Sequence, residues 1–196
     1  MLTIDLLRHG ELEGGVKYRG ALDEALTQVG EEAMDKVWQC LQDEVGTIIC
    51  SPLSRCAKPA SLWAKQSGVP CVIEPAIQEL SYGDWEGLTA QAIQDAYPGM
   101  LEAWRQDPTH MTPPHGEPMS DFSQRIHIFL HDLIQSHPKG HVLLVAHSGS
   151  IRMLIAHALQ APIKSTRHLS MPYACWSRLV VKNGQVSLQF HARVMD

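Results

Sequence analysis

A short, almost continuously apolar segment near position 140 constrains the fold more than any other feature of this sequence. Residues 141–146 read His-Val-Leu-Leu-Val-Ala, a pattern typical of a parallel strand that is buried on both faces of a sheet. Further strand candidates lie at 2–7, 47–50 and 71–73, and helical patterns of apolar residues separate them. Strands that alternate with helices indicate an α/β fold in which helices cover both faces of the sheet.

The C-terminal part of the chain predicts a different strand arrangement. Asn183-Gly184 stands between two segments of alternating apolar and polar residues, 176–181 and 185–190. This pattern is a strong signal for a β-hairpin. We therefore predict a three-layer α/β/α fold, with a mostly parallel sheet and an antiparallel C-terminal edge.

Local signals concern the ends of three helices. Thr27 is a suitable N-cap for the first helix. Asp121 with Gln124 resembles a capping box, which predicts that a helix begins there. Pro59 lies four residues after Arg55 in the second helix and lacks a backbone N–H. It predicts a kink or a delayed start of that helix, which would re-aim Arg55.

Length and composition exclude several classes of protein. The 196 residues favour one domain over 1–196, and the Gly, Pro and aromatic residues of 81–119 predict an insertion that forms a lid over a site. A formal net charge of −5 without a long basic run argues against a nucleic-acid or anionic-membrane partner. No run approaches about 18 apolar residues, so no membrane span is expected. Five cysteines without a C-x-x-C pair, and no signal-peptide pattern, indicate a reduced, cytoplasmic chain.

Three predicted strands end in polar segments, at 8–10 (Arg-His-Gly), 51–55 (Ser-Pro-Leu-Ser-Arg) and 147–149 (His-Ser-Gly). In open α/β sheets, ligands bind at the carboxyl ends of the strands. Arg8 and Arg55 are suited to bidentate contacts with phosphate oxygens. The glycine that ends the first and third segments would let backbone N–H groups approach an anion, and the N-terminus of the next helix adds positive potential. The sequence therefore predicts a phosphate ligand.

Four motifs, in order along the chain, give this sequence a family resemblance. They are Leu-Arg-His-Gly-Glu at 7–11, Ser-Pro-Leu-Ser-Arg at 51–55, Glu-Leu-Ser-Tyr-Gly-Asp-Trp-Glu-Gly at 79–87 and Ala-His-Ser-Gly at 146–149. In these motifs, which span essentially the whole chain, the sequence resembles the histidine phosphatase superfamily, also called the phosphoglycerate mutase-like family. The resemblance implies the α/β fold of that family and phosphoryl transfer without a metal or other cofactor.

The resemblance also implies a role for each motif residue. It makes His9 the nucleophile that forms a phosphohistidine. Glu79 would protonate the leaving alkoxide and then deprotonate the attacking water. Arg8, Arg55 and His147 would bind the phosphoryl oxygens, and the arginines would lower the pKa of His9. Further substrate contacts are expected from Gly10, Glu11, Arg19, Tyr82 and Ser148.

The loop after the nucleophile departs from the family pattern. The family has Thr or Ser at the position of Leu12 and Asn at the position of Gly15. One side-chain phosphate donor is therefore missing. Lys17, Tyr18 and Arg19 are the candidates to replace it.

Charge in the predicted lid bears on the substrate. Arg105 is the one basic residue of 81–124, whereas cofactor-dependent mutases of the family carry several there. A cation-poor lid suits a phosphate monoester with a large neutral remainder, which favours a phosphatase. The short length and the segment 173–177 (Tyr-Ala-Cys-Trp-Ser) resemble the α-ribazole phosphatases of the family. This resemblance implies α-ribazole 5′-phosphate, from cobalamin synthesis, as the small-molecule partner of a monomer or homodimer.

Three alternatives stay open. In the first, the protein is a phosphatase of broad or different specificity or a relative of phosphoglycerate mutase, and an assay for interconversion of 2- and 3-phosphoglycerate would decide between these. In the second, it binds a phosphate ligand without catalysis; Glu79 argues against this, because it is not needed merely to bind an anion. In the third, it is a metallohydrolase that uses its histidines, which sensitivity to chelators would support.

Other candidate residues have structural interpretations. Residues 85–87 are expected to shape the loop that carries Glu79, and Cys56 is expected to pack in the core. His110 and His115 lie in the insertion, where contact with substrate is conceivable. Surface positions are expected for His127, His131, His137 and His141.

Overall fold

The predicted sheet is present in the computed structural model, which describes residues 1–195. Six strands pair in the order β3-β2-β4-β1-β5-β6. The first four in this order are mutually parallel, whereas β5 and β6 are antiparallel to their neighbours. The strands are β1 Leu2–Arg8, β2 Thr47–Cys50, β3 Cys71–Ile73, β4 Gly140–Ala146, β5 Trp176–Lys182 and β6 Gln185–Arg193.

Helices cover both faces of this sheet and complete the predicted three layers. Two of them, α1 and α2, pack on one face, and α5 and α6 pack on the other. The α-helices are α1 Gln28–Leu41, α2 Ser54–Ser67, α3 Ala90–Ala96, α4 Met100–Gln106, α5 Met119–Ser136 and α6 Ser148–Ala158. Short 3₁₀ helices occupy Pro75–Ile77, Gly83–Trp85 and Ile163–His168. Within residues 1–195, no helix has the length and apolarity that crossing a membrane requires.

The position of β4 inside the sheet, between β2 and β1, explains why its sequence is almost continuously apolar. Val142, Leu144 and Ala146 belong to the core beneath α5 and α6, whereas Leu143 and Val145 belong to the core beneath α1 and α2. Successive side chains of a strand point to opposite faces. A strand with a core on each face therefore needs apolar residues at every position.

The hairpin at the C-terminal edge is also confirmed. Asn183 and Gly184 both have positive φ, 54° and 78°, as a type I′ turn requires. Because β5 runs antiparallel to β1, its first residue pairs with the end of β1, and Trp176 lies opposite Leu7. The segment before β5 is thereby delivered to the carboxyl end of β1.

The predicted helix ends are partly right. The Thr27 side chain accepts a hydrogen bond from the Gly30 N–H at 3.0 Å, as an N-cap does. The capping box at Asp121 is wrong, because α5 begins earlier, with Pro118 as its N-cap. The Pro118 carbonyl accepts the N–H groups of Asp121 and Phe122. Asp121 therefore lies within the first turn of α5, and the N–H groups of residues 123 and 124, which a cap at Asp121 would bind, lie inside the helix.

The delayed start of the second helix is also wrong. Helix α2 begins at Ser54 and continues through Pro59. Pro59 lacks only the N–H that would bond to the carbonyl of Arg55. Burial of Cys56 and Trp63 on the same helix offsets this loss.

The segment 81–119 folds around a small cluster of its own. Trp85, Ile93 and Leu101 are buried together, with partly buried aromatic rings around them. Tyr82 and Trp104 pack against both this cluster and the main core. The segment is therefore tied to the sheet through apolar contacts, and its role as a lid stays a prediction.

Candidate active site

A cavity of about 300 Å³ opens at the carboxyl end of β1. Six of the residues predicted from the sequence line it. These six are Arg8, His9, Arg19, Glu79, Tyr82 and Ser148. The other lining residues are Leu12, Val16, Lys17, Tyr18, Ala90, Arg105 and Tyr173.

His9 directly follows β1, and its side chain has a defined tautomer. Its Nδ1 lies 2.8 Å from the carbonyl oxygen of Gly10. A carbonyl only accepts, so Nδ1 carries the proton and donates. In the neutral ring the other nitrogen, Nε2, then has a free lone pair.

The surroundings of His9 keep its ring neutral. Burial lowers the pKa of His9 well below its ordinary value, and the charges of Arg8 and Arg55 lower it further. His9 is 5 % exposed, so solvent screens these charges only weakly. A neutral imidazole with a free Nε2 is a nucleophile at pH 7.

Arg8, the last residue of β1, is held from the segment before β5. It donates to the Met171 carbonyl, and its guanidinium lies 4.1 Å from the centre of the Tyr173 ring. The ring of Tyr173 also lies 5.9 Å from that of His9. The Nε of Arg8 is buried, and residues 1–195 offer it no hydrogen-bond partner. An arginine with an unused buried donor beside a cavity is suited to an anionic ligand.

Tyr173 is a site residue that the sequence interpretation missed. The available signal was topological, because the predicted antiparallel edge places the start of β5 beside the end of β1. A residue shortly before Trp176 must then lie near Arg8 and His9.

Arg55 and His147 are buried behind His9 and do not line the cavity. The rings of His9 and His147 are 5.2 Å apart, edge to face. Arg55 Nε donates to His147 Nδ1 at 3.2 Å, so the proton of the neutral ring is on Nε2. His147 Nε2 donates to Ser51 Oγ at 2.7 Å. Burial, and then the charges around it, lower the pKa of His147 well below its ordinary value.

The remaining donors of Arg55 fasten a loop beneath the cavity. Nη1 donates to the Leu22 carbonyl at 2.7 Å and Nη2 to the Gly20 carbonyl at 2.8 Å. Glu86 holds the same loop from the insertion, since its carboxylate accepts the Ala21 N–H at 2.8 Å. That carboxylate also accepts a hydrogen bond from the backbone of Tyr82. Arg55 and Glu86 thus join the loop and the insertion.

Glu79 lies at the N-terminus of α6. Its carboxylate accepts backbone N–H groups of Leu80 at 3.1 Å, Gly149 at 2.9 Å and Ser150 at 3.2 Å. The sequence interpretation reserved this helix N-terminus for the ligand's phosphate, and that was wrong. The N–H groups of Gly149 and Ser150 bind the Glu79 carboxylate instead, as helix N-termini bind anions generally.

Gly10 and Glu11 are not brought to the cavity. A side chain at Gly10 would overlap with the backbone of Gly30, so this glycine lets the loop pack against the start of α1. Glu11 is exposed, and its carbonyl accepts the Thr27 N–H at 2.9 Å. Both residues therefore hold the loop to α1.

The loop that departs from the family pattern supplies cations from other positions. Gly15 is exposed, whereas Lys17, Tyr18 and Arg19 all line the cavity. Arg19 is 8 % exposed and donates to the Glu13 carbonyl at 2.7 Å. Arg19 and Lys17 also pair with Glu24, which partly balances their charge.

Histidines outside the cavity follow the sequence expectation with one exception. His141 was expected at the surface, but its side chain is 10 % exposed and Nε2 lies 2.6 Å from the buried carboxylate of Asp5. His110 and His115 are exposed, and neither lines the cavity. His115 pairs with Asp84 at 3.0 Å. Cys56 is fully buried, as expected of a core residue, and burial raises the pKa of its thiol.

The remaining histidines lie close together on α5 and α6 but do not form a metal cluster. His127 and His131 are spaced four positions apart on α5, and the ring of His127 lies 4.9 Å from that of His157 on α6. His157 Nε2, however, lies 3.0 Å from the Ser123 carbonyl. Across residues 1–195, no three His, Cys, Asp or Glu side chains are arranged to hold a metal ion.

The fold and the cavity together define an α/β protein with a cavity at the end of its parallel strands that is lined by a histidine, arginines and a glutamate. The family model of the histidine phosphatase superfamily (branch 1) matches residues 4–193. The chain belongs to this superfamily, as the four motifs predicted.

Individual relatives differ in the substrate that their names state. The chain is 28 % identical over 187 residues to the adenosylcobalamin/α-ribazole phosphatase of Escherichia coli, covering 94 % of this chain and 92 % of that one. It is 31 % identical over 185 residues to the glucosyl-3-phosphoglycerate phosphatase of Mycolicibacterium vanbaalenii, covering 89 % and 82 %. A mycobacterial glucosyl-3-phosphoglycerate phosphatase solved with VO3 superposes with a TM-score of 0.87 at 29 % identity, over 97 % and 98 % of the chains.

Proposed function

We propose that this protein is a phosphomonoesterase that transfers the phosphoryl group of its substrate to His9 and then to water. One observation carries the proposal: the Gly10 carbonyl fixes the proton of His9 on Nδ1, which leaves Nε2 as a nucleophile in a cavity that Arg8 and Glu79 also line. The phosphatase names of its relatives support this hydrolytic activity.

In the first step, Nε2 of His9 attacks phosphorus while the bond from phosphorus to the ester oxygen breaks. The products are Nε2-phosphohistidine and an alkoxide, which takes a proton from Glu79. Splitting the reaction into two displacements makes each one easier. A positioned acid of this kind typically contributes about 10²- to 10⁴-fold in rate.

Positive charge stabilises the phosphoryl group during this transfer. Arg8 lines the cavity and has a buried donor to offer. Arg55 adds a second guanidinium charge from behind His9, and His147 orients it by accepting from its Nε. Such electrostatic stabilisation supplies most of the catalysis in phosphoryl transfer.

In the second step, water attacks the phosphohistidine and Glu79 takes its proton. The bond from Nε2 to phosphorus breaks, inorganic phosphate leaves, and His9 returns to its neutral form. Every proton moves between Glu79, the alcohol and water. The proposal therefore includes independence from added metal ions.

His9→Asn tests this mechanism with little change in shape. The Asn amide N–H replaces Nδ1–H toward the Gly10 carbonyl, but no atom replaces Nε2. We expect turnover of an aryl phosphate, with EDTA present, to fall at least about 10³-fold. Mixing wild type with substrate, followed by alkaline quenching and mass spectrometry, should show phosphate on residue 9. Hydrolysis that persists in His9→Asn, or that stops with EDTA alone, would contradict the proposal.

As substrate we propose α-ribazole 5′-phosphate. Relatives named adenosylcobalamin/α-ribazole phosphatase, which align with most of the chain, support this proposal. One argument from the sequence for it is wrong, however. Residues 81–124 hold few cations, yet the fold brings Arg152 and Arg167 beside Arg105. This observation favours a second candidate, glucosyl-3-phosphoglycerate, the substrate in the name of other relatives.

The two candidates are separated by kcat/KM measured side by side, with an aryl phosphate as the generic reference. A preference of at least about tenfold for either ester identifies it as the better substrate. Equal rates on all three would indicate a phosphatase of broad specificity. Interconversion of 2- and 3-phosphoglycerate, measured in the same assays, would instead place the protein with the mutases.

A further inference from the structure

A second cavity, of about 210 Å³, adjoins the first. Tyr82 and Arg105 line both cavities and form the boundary between them. The second cavity has an apolar interior that includes Trp104, Phe122 and Met153. A substrate whose phosphate lies at His9 would extend past this boundary into the second cavity.

Three guanidinium groups line this second cavity, those of Arg105, Arg152 and Arg167. Arg105 donates to the hydroxyl of Tyr18 at 3.0 Å. Arg152 Nε donates to the Leu169 carbonyl at 2.9 Å and Arg167 Nη1 to the Gln106 carbonyl at 2.7 Å. Arg167 Nε also donates to His168 Nε2 at 3.2 Å. In the part of the chain that the structure describes, none of the hydrogen-bond partners of these three side chains is a carboxylate.

Several arginines elsewhere in the molecule pair with a carboxylate instead, although Arg8 and Arg193 do not within residues 1–195. Arg125 pairs with Glu117 at 2.7 Å and Arg178 pairs with Asp5 at 2.9 Å. No Asp or Glu lies within 4.0 Å of the guanidinium groups of the second cavity, among residues 1–195. The imbalance is local, because the chain as a whole has 21 acidic residues against 16 basic ones.

The positive field of the second cavity extends to the first one. Burial lowers the pKa of the Arg8 guanidinium; Tyr173, Glu79 and Cys175 act to raise it, and the charge of Arg152 makes a smaller contribution that lowers it. Like charges gathered in a cleft destabilise one another unless a ligand of opposite charge binds there. The lining thus matches a group that is partly apolar and carries a negative charge.

We propose that the second cavity binds the part of the substrate beyond the ester oxygen, and that this part carries a second anionic group on a partly apolar framework. The group is a carboxylate or a phosphodiester, both of which accept two parallel hydrogen bonds from an arginine. This inference rests on the proposed phosphatase function. It narrows the substrate class from phosphate monoesters in general to those with a second anion. Of the two candidate substrates it therefore favours glucosyl-3-phosphoglycerate, which has a carboxylate, over α-ribazole 5′-phosphate, which has no second anionic group.

A matched pair of esters tests the charge alone. The pair is 4-carboxyphenyl phosphate and its amide, 4-carbamoylphenyl phosphate, which have nearly the same shape. We expect wild type to prefer the carboxylate about tenfold in kcat/KM, the range of a charged hydrogen bond at a partly exposed site. A third ester with a methyl phosphodiester in the para position shows whether the anion must be planar. Equal kcat/KM for the carboxylate and the amide, together with no gain from the diester, would overturn the proposal.

Variants assign the preference to this cavity. Arg152→Met and Arg167→Met should each reduce the carboxylate-to-amide ratio at least about threefold, whereas Arg152→Lys should keep part of it. Arg193→Met is the control, since Arg193 is exposed on β6 and lines neither cavity. Because the ratio is compared between proteins, the different reactivity of the two leaving groups cancels. A ratio unchanged in both Met variants would overturn the assignment.

Binding separates this inference from the proposed reaction. The phosphonates 4-carboxybenzylphosphonate and 4-carbamoylbenzylphosphonate have no ester bond, so calorimetry with wild type measures the charge preference even if no ester is hydrolysed. Tighter binding of the carboxylate, lost in Arg152→Met, supports the second cavity whatever the catalytic result. Equal affinities would overturn it, even with the His9 mechanism intact.

Discussion

Asp5 and His9 lie on the same face of one strand and its extension, separated by Leu7, but their surroundings are opposite. Asp5 is fully buried and accepts two hydrogen bonds of 2.9 Å from Arg178 and one of 2.6 Å from His141. His9 is almost as buried, yet its Nδ1 bonds only to the Gly10 carbonyl in residues 1–195. The charges that reach His9 are positive.

The difference distinguishes a structural cluster from a functional one. Burial raises the pKa of Asp5, but hydrogen bonds from His141 and Arg178 outweigh this, and the pKa lies below its ordinary value. The charge of Asp5 is therefore matched by its own protein. Around His9, Arg19 and Arg55 have carboxylate partners, but Arg8 has none among residues 1–195. The proposed function gives this unpaired charge a role in binding phosphate. A polar group is a good site candidate when its protein neighbours leave charge unbalanced.

The largest expected effect comes from replacing Asp5 and His9 with Asn in two separate variants. Asp5→Asn should lower the free energy of unfolding by about 3 kcal/mol, because it removes the charge that Arg178 and His141 share. Its kcat/KM should stay within about twofold, since Asp5 does not line the cavity. His9→Asn should instead abolish turnover and change the free energy of unfolding by less than about 1 kcal/mol. Urea denaturation and steady-state kinetics on both proteins measure the contrast.

Two outcomes would break this comparison. Asp5→Asn could lose activity beyond what its unfolded fraction explains, which would make Asp5 part of the site. Alternatively, His9→Asn could unfold like Asp5→Asn, which would make His9 a structural residue.

A smaller effect is expected of pH on the free energy of unfolding. The histidines of the site and Asp5 should affect it in different pH ranges. His9 and His147 have folded-state pKa values well below 6.5, so the unfolded chain binds more protons as pH falls below about 6.5. Stability is therefore complete above that pH and decreases below it, by about 1.4 kcal/mol per pH unit for each histidine. Asp5, whose pKa is also lowered, adds a further loss only when pH falls below about 4.

Urea denaturation at half-unit intervals from pH 7.5 to 5 measures this slope. His9→Asn serves as the control, because removing one of the two most strongly shifted histidines should reduce the slope by up to about half; His157, whose pKa burial also lowers, contributes to the slope that remains. A free energy of unfolding that stays constant from pH 7 to 5 would show that the two rings are not held neutral by the fold.

The smallest predicted effect concerns Tyr173. Its ring faces the Arg8 guanidinium at 4.1 Å, and a cation–π contact of this kind contributes about 1 kcal/mol. Tyr173→Leu should therefore lower kcat/KM about fivefold. Tyr173→Phe keeps the ring and should behave like wild type. Wild-type kcat/KM in Tyr173→Phe, with similar melting temperatures for the Leu and Phe variants, would show that the ring positions Arg8. An equal loss of kcat/KM in both variants would show that the hydroxyl matters instead.

The sequence was sufficient to predict most strands of the sheet and to identify the motif residues. The strand prediction at 47–50 succeeded because the apolar residues 48–50 are buried in the sheet. The strand at 71–73 also forms, but as an edge strand in which Val72 and Ile73 are exposed. The motifs placed His9 and Glu79 at one cavity, which local patterns alone would not do.

What the sequence could not show depends on contacts between distant positions. His141 was expected at the surface because its partner, Asp5, is 136 residues away on a neighbouring strand. Arg152 lies within an apolar helical pattern, and nothing nearby indicates that it faces a cavity. Gly10 was expected to let an anion approach the backbone, but it lets the loop pack against the start of α1. The local sequence pattern is the same for both roles.

The contact between Glu79 and the start of α6 limits how this protein can change over evolutionary time. A methyl group at position 149 would overlap with the Glu79 carboxylate, although the two residues are 70 positions apart in the chain. A residue with a side chain at position 149 therefore requires the Glu79 carboxylate to move. The position of the proposed proton carrier thus depends on the lack of a side chain at residue 149, so a substitution there would displace Glu79 without changing Glu79 itself.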